Sequence, residues 1–333
     1  MIIVGPHREE MPLFVSVSHF YVAAATVALI VCTVLCQEDD SLEDEEDVFV
    51  ADNSPPVPKF IGNSHALIQA EKQSRVHLWK PNMVQNVWEL SGLYEGDIMP
   101  DTFARNGLLN PDARWPFGVV PYHISSDFSD SEKAVILSAV SEYHEKTCVR
   151  FRAYRKCDHD WVDIRGDRPG CWSYVGRRGG GQVVNLAPGC IHHGVVVHEL
   201  MHALGFFHMQ SAAERDDFVE IFWDNIRKGT ENNFKKRSIS DTIDYGITYD
   251  YGSIMHYSRK AFSKNGNDTI VPKKPDAEIG QREGMSEKDV AKVRNMYLCH
   301  EDDKLTEEKQ EKCVTNMFDQ FVSIFTDLYQ DNT

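Results

Sequence analysis

The stretch His198-Glu199-Leu200-Met201-His202-Ala203-Leu204-Gly205-Phe206-Phe207-His208 decides how this chain is read. His198 and His202 are four residues apart, so on a helix their imidazoles project from one face. Glu199 lies beside them without being needed as a ligand. Gly205 can take a positive φ and end the helix, which lets His208 swing back as a third ligand. Three neutral imidazoles around one zinc ion leave a position open for water, as in catalytic and not structural sites. Zinc brings the pKa of such a water to about 7. Glu199 is placed to take its proton as it attacks a carbonyl, and to return that proton to a leaving group. HExxH alone turns up by chance in ordinary helices; the longer HExxHxxGxxH form is far more demanding.

A second element lies at Ser253-Ile254-Met255-His256-Tyr257. In metzincin proteases a methionine turn runs beneath the metal, and Met255 fits it. With Cys171–Arg177 (CWSYVGR) and Arg114–Tyr122 (RWPFGVVPY), these motifs agree in order and spacing over Asn106 to Cys299. On them the chain resembles the astacin metalloproteases. The resemblance implies an α+β fold: a twisted sheet with two long helices above an active-site cleft, and an irregular lower subdomain with a C-terminal helix. It implies one Zn²⁺ on His198, His202 and His208. Tyr257 matches a tyrosine that leaves the metal to hydrogen-bond the transition state. Asp97, in Ser91-Gly92-Leu93-Tyr94-Glu95-Gly96-Asp97, matches a pro-segment aspartate that ligates zinc in the zymogen and blocks the chemistry. Arg282, in Ile279-Gly280-Gln281-Arg282, matches an arginine in the pocket for the residue after the scissile bond. There it would favour Asp or Glu through bidentate pairing; a surface pair with Glu283 is the alternative.

The chain has 333 residues and a net charge of −16. Length alone allows one catalytic domain of about 200 residues with appendages. The acidity lies in the flanks: residues 37–105 carry 14 acidic and five basic groups, and residues 300–333 carry nine and three. This argues against nucleic acid as a partner. Residues 1–36 contain the apolar run Leu13 to Cys36, read as a secretory signal with cleavage before Gln37, or as a signal anchor. Residues 37–105 read as a propeptide that opens with a solvated acidic run. Residues 106–300 read as the protease domain, and 301–333 as an acidic helical tail. Arg105-Asn106 is the expected activation cleavage, by a separate activating protease. The product would be a secreted, extracellular monomer without stable membrane association, acting on protein or peptide substrates.

Along the catalytic region, strands are expected at Phe117 to Ile124, Val149 to Tyr154, Trp161 to Ile164, Trp172 to Val175 and Gln182 to Leu186. Ser129 to Glu132 forms a capping box. The helix it opens should bury Ala134, Ile136, Leu137 and Val140. The zinc-site helix follows Gly194. Ser286 to Asp289 resembles a second cap, opening a helix that reaches about Leu298.

Of eight cysteines, Cys32 and Cys36 fall in the apolar leader. The other six allow fifteen pairings. The family resemblance suggests Cys148 with Cys299 and Cys171 with Cys190, and leaves Cys157 and Cys313 as a third pair. Disulfides suit a secreted chain. Asn267-Asp268-Thr269 is an N-glycosylation sequon.

One departure stands out. After the third histidine the resembled family carries Glu, which ties the buried mature N-terminus to the zinc site; here the residue is Met209. Methionine cannot accept that charge-assisted bond. This motivates an alternative reading: a zinc-binding protease scaffold with weak or lost turnover, acting as a binding module. Intact Glu199 and Tyr257 argue against it.

Overall fold

The computed structural model describes residues 55–60, 63–100, 111–238 and 244–299. The expected leader at 1–36, the acidic run, Arg105-Asn106, Cys313 and the tail lie outside them. The chain divides into two units, and among the described residues the first comprises only the turn Arg155–Asp158. That turn is closed by the Arg155 N–H on the Asp158 carboxylate, at 2.7 Å. The second unit, Ser54–Tyr154 with His159 onward, holds the sheet, the helices and the clusters that follow.

Five strands form its main sheet: β1 Val119–Ile124, β2 Arg150–Ala153, β3 Trp161–Arg165, β4 Cys171–Trp172 and β5 Gly181–Leu186. Their order is β2-β1-β3-β5-β4, with β4 antiparallel to β5 and the other pairs parallel. Helix α1 spans Ser64–Gln73, α2 Asp130–Lys146, α3 His193–Leu204 and α4 Glu287–Met296. Both expected capping boxes form, Ser129 with Glu132 and Ser286 with Asp289. The buried face of α2 is Ile136, Ala139, Val140 and Tyr143, while Leu137 is 46% exposed. This face is rotated from the expected one: the helical repeat carries 136, 139, 140 and 143 to one side, and turns Ala134 and Leu137 outward.

β1 begins two residues later than expected, because Phe117 takes a φ of 56° in a tight turn. β4 stops at Trp172, because Ser173 pairs instead with the leading segment at Ile98. α4 ends at Met296, and Leu298 follows with a φ of 55°. α1, opened by the Asn63 side chain, has no counterpart in the sequence reading.

Both faces of β5 are covered. Val184 and Leu186 enter the main core, with α2 and α3 residues such as Tyr143, Val196 and Leu200. Val183, on the opposite face by the period of two, packs with Trp172, Tyr174, and Ala66, Ala70, Leu93 and Met99 of the leading segment. A third cluster, with Val219, Phe234, Tyr257, Phe262 and Ile270, fills the loop-rich lower part. There β6 Val219–Ile221 and β7 Ile270–Pro272 form a small antiparallel pair. Cys148 is disulfide-bonded to Cys299, and Cys171 to Cys190. Cys157 is also in a disulfide. No helix among the described residues is long and apolar enough to cross a membrane.

Candidate metal centre

α3 carries His198 and His202 one turn apart, both fully buried. Gly205 closes the helix with a φ of 122°, which a β-carbon would strain, and its N–H returns to the His202 carbonyl. The chain then brings back His208, 2% exposed. Asp97 meets all three from the leading segment. Its Oδ2 lies 3.1 Å from His198 Nε2 and 3.2 Å from His208 Nε2, and its Oδ1 lies 3.4 Å from His202 Nε2.

Each ring is oriented through its other nitrogen. Nδ1 of His198 faces the Ile254 carbonyl at 2.9 Å, and that of His202 the Phe206 carbonyl at 2.7 Å. Nδ1 of His208 faces the Glu95 carboxylate at 2.9 Å. With Nδ1 donating in all three, the three Nε2 lone pairs converge. His198 and His208 Nε2 stand 3.2 Å apart. A tetrahedral zinc with bonds of 2.0–2.1 Å holds its ligands about 3.3 Å apart. Lone pairs and a carboxylate packed this closely repel one another unless a cation lies among them. Asp97 Oδ1 and His202 Nε2 have no hydrogen-bond partner among the described residues. The donor set, the spacing and the orphaned atoms all fit Zn²⁺.

Glu199 follows His198 on α3, fully buried, and neither carboxylate oxygen has a hydrogen-bond partner among the described residues. Burial first, and then the charge of Asp97, push its carboxyl well above the usual range. For Asp97 burial opposes ionisation, whereas protonation of His208 and then His202 would hold its carboxyl well below that range. Met255 sits in the Ser253–Tyr257 turn. There the Ser253 hydroxyl and the Ile254 N–H both donate to Asp289, at 2.6 and 2.8 Å. The Met255 carbonyl accepts from Met209 N–H at 2.8 Å. Tyr257 packs beside His208, but its hydroxyl donates to the Glu95 carbonyl at 2.6 Å.

The leading segment fills the cleft beyond Asp97. It pairs in parallel with the sheet edge through Ser173 N–H to Asp97 O (3.0 Å) and Met99 N–H to Ser173 O (2.9 Å). Gly96, with a φ of 92°, makes the turn that offers Glu95 and Asp97 to the histidines. Trp88 stacks on His198. Glu89 accepts from Ser258 N–H at 2.7 Å and from its hydroxyl at 2.8 Å. Burial raises the Glu89 carboxyl to about 7, against those bonds. Arg282 donates to main-chain carbonyls of this segment, Met83 at 3.0 Å, Gln85 at 3.3 Å and Pro81 at 3.4 Å. It forms no ion pair with Glu283 among the described residues. Trp88, Glu89 and Arg237, which faces Glu95, are absent from the sequence reading, and Glu95 has no role assigned in it. Only Glu95 carries a signal there, its place two residues before Asp97.

The position after the third histidine has its own partner. Lys292 of α4, 8% exposed, donates to the Met209 sulfur at 3.0 Å. Asn267 is exposed, whereas the Thr269 hydroxyl is buried and donates to the Ala261 carbonyl at 2.7 Å.

The sheet, the histidine helix and the methionine turn define a zinc-metalloprotease fold. The family model for the astacin peptidases matches residues 108–298, more than half of the sequence, and the chain belongs to that family. Zinc metalloproteinase nas-13 of Caenorhabditis elegans is 46% identical over 195 residues, covering 59% of this chain and 43% of the relative. Zinc metalloproteinase nas-15 of the same organism is 41% identical over 239 residues, covering 64% and 42%. The chain thus spans less than half the length of these two relatives. Among solved structures, high choriolytic enzyme 1, a hatching enzyme zinc-protease from Oryzias latipes, is 37% identical with a TM-score of 0.52. That match covers 61% of this chain and all of the enzyme.

Proposed function

We propose that this protein is a secreted zinc endopeptidase made as a zymogen, in which residues 37–105 are the pro-segment and cleavage at Arg105-Asn106 begins activation. One observation carries the reading: three imidazole nitrogens converge beside Glu199, which has no hydrogen-bond partner among the described residues, and the carboxylate that closes their open side comes from Asp97 of the leading segment. His198, His202 and His208 would hold the zinc, with Asp97 joining them only before activation. Bound zinc supplies a Lewis acid that polarises a peptide carbonyl and acidifies water. Glu199 takes the proton of the attacking water and passes it to the leaving nitrogen. Tyr257, freed from Glu95 when the segment leaves, donates its hydroxyl to the developing oxyanion. Met255 floors the site. Arg282, freed from the carbonyls of Pro81 to Gln85, recognises Asp or Glu after the scissile bond. Asn267 carries the glycan, and Cys157 pairs with Cys313.

The experiment compares casein or gelatin hydrolysis by the full chain before and after limited trypsin treatment, with and without a zinc chelator. Chelator-sensitive activity that appears only after the cut is expected. A cut, zinc-loaded chain with no activity would make the weak-turnover scaffold the better reading.

A further inference from the structure

Arg237 belongs to no motif, and the mechanism above leaves it unused. Its N–H is fixed to the Ser211 carbonyl at 2.7 Å, and its guanidinium carbon lies 3.2 Å from the centre of the Phe207 ring. Phe207 immediately precedes the zinc-site His208, so this cation is stacked one residue from the metal. Its Nη2 pairs with Glu95 Oε1 at 2.9 Å, with side-chain exposures of 17% and 1%. Glu95 is its one ion-pair partner among the described residues, and its buried Nε has no partner among them. The other Glu95 oxygen faces His208.

We propose that Arg237 is a specificity-determining residue of the active cleft, taking an Asp or Glu side chain of the polypeptide substrate where Glu95 now sits. This rests on the protease reading. When the segment leaves, it removes the one carboxylate among the described residues that answers this guanidinium, on an aromatic floor that gives it no hydrogen-bond acceptor. A partly desolvated, pre-positioned fork of this kind selects a carboxylate. The two cleft arginines read the segment differently. Arg282 holds main-chain carbonyls, which every sequence offers, at residues 81–85. Arg237 holds a side-chain carboxylate at residue 95, which only an acidic residue offers. The cleft therefore has two separated cationic points.

The test profiles cleavage by the trypsin-activated chain on paired peptides carrying Glu or Gln at each position around the cut. One position should favour Glu by about ten-fold. Arg237→Ala should flatten that preference, and Arg237→Glu should turn it toward Lys, while Arg282→Ala alters a different position. Unchanged profiles in both Arg237 variants would overturn the proposal. A second measurement needs no turnover: binding of the peptide spanning residues 88–99, with Glu or Gln at position 95, to activated Glu199→Gln protein. The Gln peptide should bind about ten-fold more weakly, and the gap should close when Arg237→Ala is added. A gap that persists assigns the discrimination to His208 alone and refutes the proposal. Intact discrimination without any chelator-sensitive proteolysis would instead count against the protease reading.

Discussion

Trp88 lies flat on His198, with ring centroids 4.2 Å apart and planes 20° from parallel. The indole is fully buried. The leading segment thus presents a carboxylate to the metal position and an apolar plate to one of the histidines. Trp88→Ala removes burial worth about 3–5 kcal/mol while leaving Asp97 in place. Activity should therefore appear faster after trypsin treatment, followed as product release against time. Unchanged timing would mean that the plate adds nothing to the latch.

Glu199→Gln should leave zinc bound and reduce peptide hydrolysis by about 10²–10⁴-fold. Zinc content per chain, measured beside the rate, separates loss of the base from loss of the metal. A zinc-loaded variant with near-normal rates would sink the assignment.

Asp97→Ala should raise activity in the uncut chain, because no carboxylate then closes the metal site. The Glu95 contacts to His208, Arg237 and Tyr257 remain, so unlatching by this change alone should be incomplete. Adding Glu95→Gln should raise uncut activity further. Equal silence in wild type, single and double variants would refute the switch.

Glu89 predicts a pH dependence. Its carboxyl is raised from 4.5 to about 7 while the segment is docked. The docked state then holds a proton that the released state gives up, so docking weakens as pH rises from about 4.5 to 7 and levels off above. Over that window the effect is on the order of 3 kcal/mol. Glu95, whose carboxyl is depressed, acts oppositely and at lower pH. Segment dissociation after cutting should accelerate between pH 5 and 7 in wild type. Glu89→Gln should flatten that rise, and the same slope in both proteins would exclude Glu89 as its source.

From sequence alone, Met209→Glu should act through the mature N-terminus, with little effect on the precursor. The structure puts Lys292 on that side chain in the uncut chain. A carboxylate there would accept from a buried ammonium whose pKa burial lowers, in part offset by Asp289 and Asp250. Stabilisation by about 1 kcal/mol, or roughly 2–4 °C in Tm, is expected in uncut and activated forms alike. A gain confined to the activated form would return the effect to the N-terminus.

The metal site was legible because its geometry is local: His198, His202 and Gly205 need only a helix and its end. The capping boxes were legible for the same reason. The buried face of α2 was not, since Ala134 and Leu137 suit an apolar stripe as well as Ala139 and Tyr143 do, and only the neighbouring α3 decides. Nor was the end of β4 at Trp172, because Ser173 takes its partner from residues more than seventy positions earlier. Arg237 and Trp88 were illegible for that reason too. A lone arginine or tryptophan carries no spacing, and each acquires a role only when a distant segment folds onto it.

The second face of β5 has a consequence for timing. Val183, Trp172 and Tyr174 share their packing with Ala66, Ala70, Leu93 and Met99. Cutting the backbone breaks none of these contacts. On the zymogen reading, it only replaces a tethered inhibitor, present at a high effective concentration, with a free one at the concentration of the protein itself. The nicked complex should persist with its own off-rate, and dilution, not proteolysis, should govern when the cleft empties. In concentrated surroundings the enzyme would remain restrained long after cleavage; once it spreads into a larger volume, the restraint would lapse.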